Sequence, residues 1–253
     1  AFIVAPDTPR TDYLISCGAN VEASGGVVGV WRHANARVRG MKRVQVEPHL
    51  SITGACSAEW VPIKPKTDAA FLFALMHVLV HEAPRRRLDL PFLTKRTASP
   101  YLVGPHGYYL RDRESQKPLL FDASRGAAVP FDTEGVAEAL EGRYEADAVE
   151  IGPDGVVLAE GTLRGTTAFT LTVEHLAPYT PEWAEGVCEV PAARIRRIAN
   201  EYLDHARVGE TIEVYGVTLP FRPVAVSLGT TVNNGWGGYE CCWPRTMLDA
   251  FVR

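Results

Sequence analysis

Four short segments of this sequence combine glycines, neutral hydrogen-bonding residues, lysines and acids in an order suited to a nucleotide. Gly18-Ala-Asn20-Val-Glu-Ala-Ser24 follows an apolar run and leads into a helical pattern. Gly18 allows close approach to the backbone, Asn20 and Ser24 are neutral donors, and a helix N-terminus favours an anion such as pyrophosphate. Glu47-Pro48 ends a second strand pattern, Arg43-Val-Gln-Val-Glu47, where an acid can accept two ribose hydroxyls. Lys64-Pro65-Lys66-Thr67-Asp68 supplies positive charge and a carboxylate. Asp68 can pair with the two adjacent N–H donors of a guanine edge. Gly229 to Gly238 forms a further flexible loop at the end of another apolar run. Each segment alone also has a plainer reading. Gly18-Ala-Asn20 can be a simple turn, Glu47 a solvated strand end, and Asp68 a helix-start acid that satisfies the dipole. The first loop is not Gly-x-Gly-x-x-Gly.

Other reactive side chains point to less. His77 and His81 have i, i+4 ligand spacing for zinc, but their helix is apolar throughout, Glu82 follows both and no third ligand is placed. No metal site is assigned. Cys241 and Cys242 are neighbours, and a disulfide between neighbours is strained, so free thiols are expected. Five cysteines without a repeated short spacing argue against a disulfide framework. There is no nucleophile elbow around a serine and no phosphate loop ending in Gly-Lys-Ser/Thr. No catalytic residue is assigned.

The 253 residues are 46% hydrophobic and 22% charged, which is globular composition and enough chain for a real core. A net charge of −4 gives no electrostatic reason to expect a nucleic acid partner. The longest uncharged apolar stretch, Ala69 to Val80, is too short for a membrane span of about 20 residues. The chain starts at Ala1, not Met, and Tyr239 to Arg253 reads as a helix barely begun. The expectation is an excised or processed piece of a longer polypeptide.

The elements that must position these loops follow from periodicity. Asp12–Cys17 reads as a buried strand, Arg43–Glu47 as a second strand, and Trp60–Ile63 as a short third. Val27, Val28, Trp31, Ala34 and Val38 recur at helical spacing as the expected buried stripe of a crossover helix that Gly40 stops. Asp68 to Glu82 is apolar on nearly every face, which predicts a helix buried between layers; Arg85 to Arg87 read as a solvated run at its end. From about Pro100 to Thr172 short alternating segments and Gly/Pro turns predict hairpins, with Val149–Ile151 and Val156–Leu158 flanking one turn. Thr180-Pro and Pro191 each open a helix, the second with a stripe of Ile195, Ile198, Ala199, Tyr202 and Leu203. Pro223–Leu228 is another buried strand. The fold class is α/β: a Rossmann-like, mostly parallel sheet flanked by helices, with a β-hairpin-rich insertion. The expected division is a dinucleotide-binding α/β domain over 1–206, carrying the insertion at about 100–172, and the truncated start of an adjoining α/β segment over 207–253.

Taken in order, these motifs resemble the molybdopterin oxidoreductases of the dimethyl sulfoxide reductase superfamily. The residues that carry the resemblance are Leu14-Ile-Ser-Cys-Gly18-Ala-Asn20-Val-Glu-Ala-Ser24, Arg39-Gly-Met-Lys42, Val46-Glu-Pro48-His, Ala58-Glu-Trp-Val-Pro62-Ile-Lys-Pro65-Lys-Thr-Asp68-Ala, and the later Tyr179-Thr-Pro-Glu-Trp183 and Val190-Pro-Ala-Ala-Arg-Ile195. The texture is most similar to the thiosulfate, polysulfide and tetrathionate reductase branch. The resemblance implies a parent enzyme that holds molybdenum with bis-molybdopterin guanine dinucleotide. Gly18, Asn20, Ser24, Glu47, Pro48, Lys64, Pro65 and Asp68 would then face the cofactor. It also implies as partners the remaining domains of the parent chain and an iron–sulfur electron-transfer subunit. Both cytoplasmic and periplasmic parents stay open. The family's iron–sulfur cysteine cluster, its protein ligand to molybdenum and its C-terminal barrel have no counterpart here, so the isolated chain is expected to be inactive and metal-free. The sequence departs from the pattern at Val21 (usually Pro), Glu47 (Asp), His49 (a basic residue) and Lys66 (Gly). Two readings from other classes stay beside it: a stand-alone NAD-dependent dehydrogenase and a non-enzymatic nucleotide-binding module.

Overall fold

The first apolar run is short and uninterrupted, the signature of a strand covered on both faces. In the structure, a computed structural model that describes residues 6–235 and 237–253, it is strand β1 (Tyr13–Cys17), buried at every position. The loop after it contains one helical turn, α1 (Val21–Ser24), before the crossover helix α2 (Gly26–Arg39). Gly40 ends α2 in the left-handed conformation (φ 111°) that glycine adopts without strain. Strand β2 (Lys42–Val46) follows, then the short α3 (Ile52–Ala55), capped by Ser51, whose side chain accepts from the amide of Gly54, and strand β3 (Glu59–Val61). Helix α4 (Asp68–His77) runs on into a wider π-helical turn, Val78–Glu82. The arginines beyond it are not simply solvated. Arg85 donates to the carbonyl of Val80, and Arg87 donates to Asn200 and Asp204.

The chain then builds a separate compact unit, Leu90–His175. It holds α5 (Leu90–Arg96), β4 (Leu102–Val103), β5 (Leu110–Arg111), β6 (Leu119–Asp122), β7 (Ala127–Pro130), β8 (Arg143–Ile151) and β9 (Val157–Thr167). Strands β4, β9, β8 and β5 form one antiparallel sheet, and β6 with β7 a two-stranded one. The expected hairpin at Pro153–Gly155 is present, and its strands are several residues longer than the alternating pattern predicts.

Helix α6 (Ala168–Leu176) leads back to the first unit, which comprises residues 1–89 and 176–253. Helix α7 (Pro181–Cys188) has Thr180 as N-cap, accepting from the amide of Trp183, with Pro181 in the first turn. In α8 (Ala192–His205) the expected stripe is buried at every position. The hairpin β10 (Thr211–Val214) and β11 (Val217–Pro220) precedes strand β12 (Val224–Leu228), the short α9 (Thr230–Asn233) and α10 (Gly238–Phe251). The C-terminal segment forms a helix of 14 residues and carries Pro244 inside it. Trp236 of the loop before it lies outside the described residues.

All four strands of the main sheet are parallel, in the order β12-β1-β2-β3. Strand β12, from the stretch expected to begin an adjoining segment, is hydrogen-bonded directly to β1. The register sets Leu14 beside Arg43 and Ala225, and Ser16 beside Gln45 and Ser227, so the two faces of the sheet differ in chemistry. One face presents Tyr13, Ile15, Cys17, Val44, Val46 and Val226, all buried; Tyr13 meets Tyr202 of α8 edge-on there. The other face is largely polar: Ser16, Arg43, Gln45 and Ser227 beside Leu14 and Ala225. Ala36 of α2 packs on Leu14 there, with Met41 and Ala225. This polarity explains why the stripe expected to bury α2 points outward. Val27, Val28, Trp31 and Val38 are exposed, and the inward side is instead the smaller and more polar Gly29, His33, Ala36 and Arg37.

Candidate functional site

A chain that steps from β1 to β2 to β3 and returns on the other side of β1 as β12 creates a switch point. The loops after β1 and β12 start side by side and lead to opposite sides, which opens a crevice at the carboxyl ends of the strands. Gly18 and Gly229 meet at this point. The amide of Gly229 donates to the carbonyl of Cys17 (2.8 Å), and the hydroxyl of Thr231 donates to the carbonyl of Gly18 (2.9 Å). A Cβ on Gly229 would lie 2.2 Å from the Gly18 oxygen, and one on Gly18 would lie 2.7 Å from Cγ2 of Val232. Gly18 is also left-handed, at φ 63°. Both glycines are therefore required by close approach.

Beyond Gly18, the amides of Ala19, Asn20 and Val21 donate to no group among the described residues. Ser24 closes the helical turn by donating to the carbonyl of Asn20 (2.8 Å). Beneath this loop lies a polar network that the sequence did not reveal. Arg43, wholly buried on β2, donates from Nη2 to Glu22 (2.7 Å) and to the carbonyl of Thr53 (3.0 Å), and from Nε to Ser57 (2.8 Å); its Nη1 lies 3.0 Å from Nδ1 of His33. Thr53 Oγ1 sits between Glu22 Oε2 (2.6 Å) and Asn20 Oδ1 (2.9 Å). Burial pushes the Glu22 carboxyl up, but hydrogen bonds from Arg43 and Thr53 outweigh it and hold Glu22 below the usual carboxylate range. Burial and the adjacent Arg43 charge push His33 down, favouring the neutral ring.

Gln45 links this loop to the end of β2. Its amide donates to the carbonyl of Ala19 (3.0 Å) and to Glu47 Oε2 (2.9 Å), while its Oε1 is buried without a partner. Glu47 is itself buried, and its Oε1 accepts from the amide of Ser51 (2.8 Å). It is no solvated strand end: it orders the turn that carries the exposed Pro48.

The segment before α4 divides. Lys64 donates its amide to the carbonyl of Cys188 (3.0 Å), and its ammonium pairs with Glu189 (3.2 Å); Pro65 beside it is exposed. Lys66 instead reaches the loop after β12, where Nζ donates to the carbonyl of Thr231 (3.1 Å). Its left-handed backbone (φ 67°) accounts physically for the glycine of the motif, and a non-glycine residue there costs about 1–2 kcal/mol. Asp68 is 9% exposed and forms no ion pair among the described residues. Burial pushes its carboxyl up, against its own backbone amide and the nearby Lys66 charge. The structure thus brings Gly18, Asn20, Ser24 and Glu47 together through Gln45 and Thr53, and Lys66 through Thr231; Lys64 turns to α7. The rings of His77 and His81 stack at 4.6 Å, and Nδ1 of His77 lies 2.9 Å from the carbonyl of Leu176.

Parallel strands, helices on both faces and a glycine-tight switch point define a doubly wound, Rossmann-like α/β unit. No protein-family model matches the chain. A sulfite dehydrogenase polypeptide of Allochromatium vinosum is 31% identical over 177 residues, 64% of this chain and 17% of that protein. Dimethyl sulfoxide reductase DmsA of Haemophilus influenzae is 29% identical over 200 residues, 77% of this chain and 18% of that protein. Among solved structures, acetylene hydratase from Pelobacter acetylenicus shares the fold, with a TM-score of 0.57 and 13% identity over 98% of this chain and 22% of that one. In sequence the chain is similar to molybdopterin oxidoreductases of the dimethyl sulfoxide reductase family, and it spans about a sixth of the length of these curated relatives.

Proposed function

We propose that this chain is the part of a molybdenum-dependent oxidoreductase that holds the guanine dinucleotide end of a molybdopterin cofactor, and that the unit formed by 1–89 and 176–253 does the holding. The observation that carries the reading is the meeting of Gly18 and Gly229 at the switch point, where α/β sheets bind ligands. The residues present fit such a group. Unspent amides at Ala19 to Val21 suit pyrophosphate oxygens, the buried Oε1 of Gln45 lacks a donor, and Asp68 keeps acceptor capacity for the paired N–H groups of guanine. Glu47, fixed by Gln45 and Ser51, offers its remaining lone pairs to the ribose.

When bound, the cofactor supplies the redox chemistry at the metal; the protein supplies binding, orientation and electrostatics. In this chain Arg43 and Glu22 hold the first loop in shape, Gly18 admits the backbone contact, and Asp68 selects the base. The partners this reading implies are the rest of the parent chain and a separate electron-transfer protein. No helix among the described residues is long and apolar enough to cross a membrane.

Calorimetric titration of GDP and ADP into the chain and into Asp68→Asn tests the assignment. GDP is expected to bind more tightly than ADP, and the preference to fall by about 1–3 kcal/mol in the variant. Equal affinities in the unsubstituted chain would remove guanine from the proposal.

A further inference from the structure

The sequence offers two lysines ahead of α4, and the structure separates them. Lys64 is committed to Glu189. Lys42, Lys95 and Lys117 likewise each hold a carboxylate: Glu201, Glu138 and Asp132. Lys66 holds none among the described residues; its ammonium rests on a neutral acceptor, the carbonyl of Thr231. The loop after β12 makes room for it, since a Cβ on Gly235 would stand 2.7 Å from Nζ. Thr231 also donates its hydroxyl to the carbonyl of Gly18, so a single residue joins the Lys66 ammonium to the glycine of the first loop. The left-handed backbone of Lys66 is a conformation in which lysine is disfavoured, yet lysine occupies it.

We infer that Lys66 is the charge that recognises the diphosphate of a nucleoside diphosphate group in this crevice, a specificity that rests on the dinucleotide reading above. An ammonium on a neutral carbonyl gains when it exchanges that partner for a phosphate oxygen, because both groups of the new hydrogen bond are charged. Its flexible four-carbon stem allows the exchange without backbone movement. The same placement leaves Asp68 unneutralised by any direct ion pair and so available to a base. Lys66 thereby adds a cation to the backbone amides of the first loop.

The test is titration of GDP, guanosine and inorganic pyrophosphate into the chain and into Lys66→Gln, Lys66→Arg and, as a remote control, Lys117→Gln, at low and high salt. Lys66→Gln is expected to weaken GDP and pyrophosphate about tenfold or more. Guanosine affinity should be unchanged, and the salt dependence of GDP binding shallower. Lys66→Arg should retain most of the affinity, and Lys117→Gln all of it. GDP binding that is equally tight in Lys66→Gln would overturn the role of Lys66 while leaving the dinucleotide reading intact. Loss of guanosine binding alongside GDP would also overturn it, by making Lys66 a structural residue. An unsubstituted chain that takes up neither GDP nor guanosine would bring down the dinucleotide reading and this inference together.

Discussion

Arg43 Nη2 lies 2.7 Å from Glu22 Oε1, and the guanidinium that makes this contact is completely buried. The pair joins the second strand to the loop after the first, so the shape of the candidate site depends on a charge beneath it. Thr53, Ser57 and His33 complete the guanidinium's contacts, and each nitrogen of Arg43 is engaged.

Removing one partner from a buried pair leaves an uncompensated charge. Arg43→Met is therefore expected to lower stability by about 3–5 kcal/mol, measured by denaturant unfolding. Hydrogen exchange should show the loss concentrated in α1 and α3, whose backbones this network ties. A loss under about 1 kcal/mol would mean that the loop is held by its backbone alone.

The outward stripe of α2 predicts the opposite behaviour. Val27, Trp31 and Val38 are exposed by 87%, 63% and 89%. Replacing each with lysine or glutamate should change stability by no more than about 0.5 kcal/mol, as for ordinary surface sites. Thermal unfolding of the three single variants checks it; a fall of several degrees in any one would show that the residue is packed.

The same helix marks what was legible in the sequence. Strands β1 and β12 were readable because they are short apolar runs between glycine or proline punctuation, β2 because Val44 and Val46 alternate with polar residues ahead of Pro48, and α8 because its stripe packs on the apolar sheet face through Tyr202 and Tyr13. Helix α2 had the right period and the wrong face. Its sheet face carries Arg43 and Gln45, two positions apart on one strand, and alternation reads such residues as solvent-facing. Their burial depends on Glu22, Thr53 and the carbonyl of Ala19, which come from elsewhere in the sequence, and no short local window contains that information. Gly18, Asn20, Glu47 and Asp68 could be proposed as candidates from their places at strand and helix ends. The bridging residues Gln45 and Thr231, which have no motif, could not.

Asp249 should give stability a pH dependence of its own. It accepts from the hydroxyl of Tyr202 (3.1 Å) and the amide of Val226 (3.3 Å). Burial raises its carboxyl from 3.8 to about 6, partly offset by Arg245. A raised acid favours the folded state when protonated, so this contribution is complete below 3.8 and is lost as the pH rises through about 6. Its side chain is 32% exposed, and screening leaves about 1–2 kcal/mol of the shift as stability. Asp249→Asn keeps an acceptor for Tyr202 and removes the titration. Its unfolding free energy should be flatter over that interval and higher than that of the unsubstituted chain at pH 7. Curves that run parallel across the interval would show that Asp249 ionises freely in the folded state.

Two glycines offer a substitution whose sign depends only on surroundings. Gly186 lies exposed inside α7 with nothing within 4 Å of an added Cβ. Alanine there reduces the freedom of the unfolded chain and suits a helix, so Gly186→Ala is expected to stabilise by about 0.5–1 kcal/mol. Gly229 has an ordinary backbone (φ −75°, ψ 163°) that alanine would also accept. Its added Cβ, however, would fall 2.2 Å from the carbonyl oxygen of Gly18 and 2.7 Å from the amide nitrogen of Ala19. Both are backbone atoms that no rotamer change can remove, so β12 and β1 must separate at the switch point. Gly229→Ala is expected to destabilise by about 1–3 kcal/mol, the usual cost of overpacking. It should also weaken nucleotide binding, because the loops that flank the crevice start at these two residues. Denaturant melts of both variants, with GDP titrations beside them, separate the effects. If Gly229→Ala were as stable as Gly186→Ala and bound GDP unchanged, the close approach of Gly18 and Gly229 would not be what shapes the site.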